Sequence, residues 1–384
     1  MGLPSLTSIA PAAYATSLVH ARQDIAEALD NVLPSTGESS TAIFSSNLLP
    51  LVEQLKDCDV DLVAECKCES VEQVVSLQNI QQVNGFNLQK RLMERLHTNT
   101  LAQVHEQYAS SPAHLAALLS TTTQHASSWV SNAMQAGAQL MLPAQWRSAV
   151  RHRYVLPAAS FMYVKRCRCG TYVEDEPNHF HMCKYLAKTA MYERHQLIVA
   201  VLTRWLRSMG AVVVHEPTLT DGTQPDMLVH MVSVNVSYYV EVSVTCATGA
   251  SNMSKYHTAT KQLGAAEGRA QSKTRKYAKV LADMGSVYTF VPFVLESHGG
   301  MNKAAMHWLQ LVSQQHELPG QQLAEILRQV SSTLQRGNAI VDHKGLTNMR
   351  MYGEVRDSDR VARELQQYAH GSWQVSRLSQ AVVA

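Results

Sequence analysis

Cys167, Cys169, His179 and Cys183 bring three thiols and an imidazole into one short segment. That is the soft N and S donor set a structural zinc ion takes in tetrahedral geometry. His179 is the preferred imidazole because three residues separate it from Cys183, whereas His181 leaves only one. Gly170 permits the tight turn such a knuckle needs. The single residue between Cys167 and Cys169 is shorter than the usual spacing of roughly two to four, and unmetallated core cysteines are the competing reading. With all four positions filled by protein, the metal would support folding rather than catalysis. Cys58, Cys66 and Cys68 lie in an acidic stretch with no neighbouring histidine and read as incidental.

A second set carries oxygen chemistry. Pro225-Asp226 opens one β-like run and Glu241 lies in the next, followed by Val242 and Ser243. Two carboxylates on neighbouring strands are hard ligands suited to magnesium, which activates water and neutralises a phosphate under attack. A turn centred on Asn235 and Val236 puts Glu241 opposite His230, on the same face as Asp226. That register leaves the carboxylates roughly 13 Å apart, so a bulge or a shifted turn is needed before they share an ion. Such sites also use a cation to stabilise developing negative charge. Ser243 cannot supply it, and the following helical segment offers Lys273 first, then Lys276, with Arg275 and Lys279 nearby. The competing reading is a turn aspartate and a surface glutamate.

The elements that must position these groups follow from periodicity. Residues 12–144 are mostly helical, with Leu88, Leu92, Leu96, Leu101 and Val104 at helical spacing and breaks at Pro34–Thr41 and Ser110–Pro112. Beyond the cysteines an amphipathic helix, Ala190–Met209, carries Leu197, Ile198, Val201, Leu202, Trp205 and Leu206 and ends at Gly210. Strand-like runs follow at Ala211–His215, Met227–Val232 and Tyr238–Thr245. A polar helical segment, Tyr256–Met284, then precedes a fourth strand, Val287–Leu295. Helical stretches Asn302–His316 and Gln321–Gln335 close the order, and the tail beyond Arg336 is too weakly patterned to place. The expected class is α+β: a helical region at 1–150, a zinc knuckle at 151–188, an α/β domain with a central mixed sheet at 189–316 and a helical extension at 317–384.

The chain has 384 residues and is 46% hydrophobic, enough for two or three ordinary domains. Lys plus Arg is 33 against 31 Asp plus Glu, a net +2, so any surface for nucleic acid must be local. Basic residues gather at Arg147, Arg151, Arg153, Lys165, Arg166 and Arg168, and again from Arg269 to Lys279. No apolar stretch is long enough to span a membrane, and the N-terminus does not resemble a signal peptide. An intracellular compartment is expected.

Several of these motifs recur in order: Cys-Arg-Cys-Gly, His-Phe-His-Met-Cys, Arg194-His195-Gln196, Gly210 to Glu216, Pro225-Asp226, Val240 to Val244, Lys273 to Tyr277, and Phe293 to Gly300. That succession resembles the zinc knuckle and restriction-like endonuclease, with its PD-(D/E)xK signature, at the C-terminal end of non-LTR retrotransposon polyproteins. Leu3-Pro-Ser-Leu6, Ala10 to Tyr14 and His125 to Trp129 are similar to the stretch after the polymerase in such elements. The resemblance covers most of residues 1–20 and about 120–300. It implies Asp226 and Glu241 as magnesium ligands, Lys273 as the helix-borne lysine, Arg194 and His195 as helix residues near the site, and Glu216 as a further acid. It also implies DNA nicking that primes copying of the element's RNA, in the nucleus. The departures are the Cys-x-Cys spacing and Glu241 where the family often has Asp. No Tyr- or Phe-x-Asp-Asp motif occurs, so reverse transcription is excluded and only the nicking step remains. The alternative implied is a decayed zinc-containing module that binds nucleic acid.

Overall fold

The computed structural model describes residues 15, 40–76, 88–132, 141–156, 166–176, 178–284 and 288–352. The Leu3–Tyr14 run, Lys165 and Val287 lie outside them. The chain forms two compact units, Met1–Ser110 and Ser111–Ala384. In the first, helices α1 (Ser40–Lys56), α2 (Leu62–Glu65), α3 (Val71–Ser76) and α4 (Leu88–Gln107) enclose a small core. Leu88, Leu92 and Leu96 are buried there with Leu55, Leu62 and Val74, so the four-residue spacing marks a true core face. Cys66 is part of this core and Cys58 and Cys68 pack against it.

The second unit holds α5 (Pro112–Thr121), α6 (Ser128–Asn132), α7 (Pro143–Arg153) and α8 (Tyr192–Ser208). It continues with β1 (Ala211–His215), β2 (Met227–Met231), β3 (Val236–Thr245), α9 (Ala250–Tyr256), α10 (Gly264–Asp283), β4 (Tyr288–Glu296), α11 (Lys303–Ser313) and α12 (Pro319–Tyr352). This is a mixed α+β architecture around one four-stranded sheet, ordered β1-β2-β3-β4. The first two pairings are antiparallel and β3–β4 is parallel. A parallel neighbour needs a crossover connection, and α9 and α10 supply it.

Strand alternation divides the side chains between two faces. Met227, Val229, Val240, Val242 and Phe293 meet Ile198, Leu202 and Trp205 of α8, Trp308 of α11 and Leu334 of α12 in the main core. On the opposite face Tyr239 packs with Tyr277 and Val280 of α10. Asp226, Glu241 and Ser243 share the parity of that second face.

The β2–β3 register differs from the one expected. Met231 pairs with Val236 and Met227 with Val240, so the turn occupies residues 232–235 rather than centring on Asn235 and Val236. Glu241 therefore continues the ladder opposite Asp226, not His230. The physical reason is a four-residue loop closed by Asn235 in the left-handed region at φ 51°, a conformation Asn tolerates better than most residues. The required shift is in the turn, and no bulge is involved.

Two further expectations change. The helix expected over Tyr256–Met284 begins only at Gly264; α9 ends at Tyr256, and in the break between them His257 and Leu263 take φ of 54° and 59°. The final helix runs on from Pro319 to Tyr352, far past Arg336. It seats closely because glycines face its neighbours: a Cβ on Gly337 would lie 2.4 Å from Arg194 Cγ, and one on Gly345 2.4 Å from Phe180 Cγ. We expect Gly337→Ala to cost about 1–3 kcal/mol by overpacking, read as a shift of the urea midpoint. Gly320→Ala, where a Cβ meets nothing within 4 Å, should be neutral or stabilising.

Candidate functional site

Asp226 sits where β2 begins, and both its oxygens are held. Oδ2 accepts the Val242 backbone N–H at 2.6 Å, and Oδ1 lies 3.0 Å from Nε2 of His195, in the first turn of α8. On β3, Glu241 is buried at 6% exposure. Its Oε1 pairs with the Lys273 ammonium and its Oε2 accepts from the Tyr277 hydroxyl at 3.0 Å. Burial, and then the Glu241 charge, push the Tyr277 phenol well above its ordinary range, which keeps it a donor. Arg269 Nε donates to Ser243 Oγ at 3.2 Å.

The spacing of these partners has a simple cause. Arg269, Lys273 and Tyr277 are four apart on α10, a rise of about 6 Å per step. Ser243 and Glu241 are two apart on β3, about 6.6 Å. Helix and strand thus present matching rows. Small residues, Ala266 and Ala270, let α10 approach the sheet at Val294.

Asp226, Glu241, His195, Arg269 and Lys273 line one open cleft of about 320 Å³. Lys273 reaches Glu241, whereas Lys276 is exposed, lies 4.4 Å from the Tyr277 ring centroid and donates to its hydroxyl at 3.0 Å. Arg275 and Lys279 are exposed. Glu216 joins the site through its backbone, whose N–H donates to the Asp226 carbonyl at 3.0 Å; its side chain is exposed and does not line the cleft. Arg194 borders the cleft, but its guanidinium donates to His181 Nδ1 at 3.0 Å and Asn338 Oδ1 at 2.9 Å. Its Nε is buried without a partner. Burial lowers its pKa to about 10, so it remains a cation locked under α12. Tyr277 and Arg269 were visible in sequence only as members of a basic run.

Cys167, Cys169, His179 and Cys183 place their ligand atoms within 4.8 Å of one another. Cys167 and Cys183 sulfurs are 3.7 Å apart, and Cys169 Sγ is 3.0 Å from His179 Nε2. His179 Nδ1 is 3.2 Å from Glu176 Oε2, the kind of outer partner that orients a metal-bound imidazole. The Cys-x-Cys spacing works because Gly170, at φ 96°, turns the chain so that its N–H meets the Cys167 carbonyl at 2.8 Å. Hydrogen bonding from Cys167 draws the Cys183 thiol down to about 4, while the Cys167 thiol is pushed up by that bond and by burial. Burial opposes charge on His179, yet hydrogen bonding to Cys183 and the charge on Cys169 and Cys183 raise it to about 9. This cluster can bind a metal such as zinc. His181 stands apart from it, bonded to Arg194 and, at 3.2 Å, to Asp342.

Sequence periodicity missed a buried histidine stack. His152 and His298 rings lie 4.1 Å apart at 16°, and His152 lies 4.2 Å from His181. Neither a protein-family model nor a curated protein matches the chain.

Purified protein should carry a single zinc. His179→Ala or Cys183→Ser should remove it, while His181→Asn should retain it; metal-free protein indifferent to chelators would contradict the cluster's role. Burial, followed by His181 and Arg153, depresses His298 from 6.5 to about 3, and burial with its neighbours lowers His152 too. The unfolded chain therefore binds more protons than the folded one below 6.5, and these groups' contribution to stability is lost as pH falls through that interval. Urea midpoints should decline from about pH 6.5 downward, less steeply in His298→Asn. An acid limb unchanged by that substitution would refute the assignment.

Proposed function

We propose that the chain is a magnesium-dependent DNA endonuclease of the restriction-like type found in non-LTR retrotransposons. The carrying observation is that Asp226 and Glu241 oppose each other across β2 and β3, with Lys273 on Glu241. The order α8-β1-β2-β3, crossover helices, β4 supports the restriction-like reading of the sheet. The Cys167, Cys169, His179, Cys183 cluster supports the zinc-knuckle reading.

The donor chemistry fits magnesium. Asp226 and Glu241 offer four carboxylate oxygens, each with lone-pair capacity beyond its present hydrogen bond. The bound ion would supply an activated water and charge neutralisation at the scissile phosphate. The protein's own groups do the rest. His195 and the Val242 N–H fix the Asp226 carboxylate, and Tyr277 fixes Glu241. Lys273 holds a positive charge beside the reacting centre, the task a lysine at position 243 would perform in the usual signature. Arg269 offers a second cation at the cleft wall, suited to a phosphate oxygen. Nicking of target DNA in the nucleus, as the first step of copying the element's RNA, is the biological setting that fits an endonuclease lacking polymerase motifs. The other reading, a decayed nucleic-acid-binding module, draws on Ser243, where the usual lysine is absent, and on the near-neutral net charge of +2.

A supercoiled plasmid incubated with magnesium should be nicked by the wild-type chain. Asp226→Ala and Glu241→Ala should abolish nicking, and Lys273→Ala should lower it by roughly a hundredfold or more with DNA binding nearly intact, the scale for losing one transition-state donor. Ser243→Lys combined with Lys273→Ala should recover part of the rate. Nicking indifferent to Asp226→Ala would sink the active-site assignment and leave the binding-module reading.

A further inference from the structure

The flank of α8 beside β1 carries a second groove, of about 400 Å³, bordered by Gln196, Thr203, Arg204 and Arg207 and by His215 of β1. No aspartate or glutamate borders it among the described residues. Gln196, Thr203, Arg204 and Arg207 recur at helical spacing, so they share one side of the helix. Both arginines are exposed. Arg207 approaches the Val213 carbonyl at 3.5 Å, which steadies its direction. Arg204 has no carboxylate partner among the described residues. In a chain whose net charge is only +2, an acid-free groove with two cations is a local field of one sign.

The groove and the carboxylate cleft share helix α8, with His195 lining the cleft and Gln196 the groove. His215 pairs with Met227, the residue after Asp226. Thr203 Oγ1 lies 3.5 Å from His215 Nε2 and 3.4 Å from Met227 Sδ. Gln196 follows His195, whose imidazole holds Asp226. From His195 to Arg207 the helix rises about 18 Å. A DNA duplex advances about 3.4 Å per base pair, so that length matches the phosphates of roughly five consecutive nucleotides.

We infer that this groove binds the phosphodiester backbone of the DNA flanking the bond to be cut, with Arg204 and Arg207 as its cations. The inference rests on the nuclease reading of the adjacent cleft. It assigns positioning to residues outside both basic runs, Arg147–Arg168 and Arg269–Lys279. The groove sets how DNA is held, and the cleft sets how fast it is cut.

The test separates the two. Binding of a fluorescently labelled DNA duplex is followed by anisotropy across a salt series in magnesium-free buffer, where no cutting occurs. Arg204→Glu should weaken binding by about tenfold or more and make log Kd less steep in log salt by about one unit, the signature of a lost phosphate contact. Arg204→Lys should restore most of the affinity. In the nicking assay Arg204→Glu should raise KM while leaving kcat near the wild-type value. Wild-type affinity and salt slope in Arg204→Glu, with zinc content unchanged, overturn the inference. So does displacement of the duplex by inorganic phosphate as readily as by unlabelled duplex, which would make this a site for free anions. Failure of the nuclease reading looks different: the wild-type chain would not nick, while the Arg204 effect on duplex affinity would persist.

Discussion

Two carboxylates facing each other across neighbouring strands repel, and one of them, Glu241, is almost fully withdrawn from water. A buried charge is tolerated only when other groups compensate it. Much of the second unit's architecture can be read as that compensation. The crossover helix α10 brings Lys273 and Tyr277 onto Glu241, and α8 brings His195 to Asp226 around the sheet's end. The strand itself contributes through the Val242 N–H. The donors come from three elements, α10, α8 and β3, so the pair can exist only when helix, hairpin and sheet are assembled together.

A second buried charge ties the cysteine cluster to that assembly. The Arg194 guanidinium is fully enclosed and bonded to His181, which lies between two of the zinc-ligand candidates, and to Asn338 of α12. Asn338 also donates to the Ser297 carbonyl at 2.8 Å, just beyond β4. One helix turn further along α8, the neighbouring core side chains face the sheet. The cysteine segment, the carboxylate-bearing strands and the last helix are therefore joined through a polar centre rather than by apolar packing alone. Such a centre is demanding, because removing one member strands the others without partners.

How much of this was legible in sequence depended on which physical signal carried it. β1 is found at Ala211–His215 as read, and β2 and β3 within two residues of it, because alternation and β-branched content are strong and local. The thiol-imidazole set and the choice of His179 over His181 came from ligand spacing alone, and the geometry agrees. Lys273 was reached from the helical position of the basic run. The hairpin register was not legible, since it turns on whether Asn235 accepts a positive φ, which spacing does not reveal. Nor was the extent of α12: Gly337, Gly345 and a row of polar residues argue against a helix locally, yet Ser332, Gln335 and Asn338 are buried there, so tertiary contacts override propensity. Arg194 read as a residue near the chemistry, but a long side chain can point away from the surface its backbone borders.

The glycines of α12 carry a consequence for timing. Arg194 is translated well before Gly337 and Asn338, the residues that enclose it, and a guanidinium waiting on the ribosome stays in water. The strands bearing Asp226 and Glu241 emerge in that interval with their hairpin already able to close. Sheet formation and the sealing of the centre are thus separated by more than forty residues of synthesis from β4 to Asn338. Nascent chains would pass through a stage with paired strands and an unsealed interior, in which the carboxylate pair is formed before the polar centre that joins it to the cysteine segment.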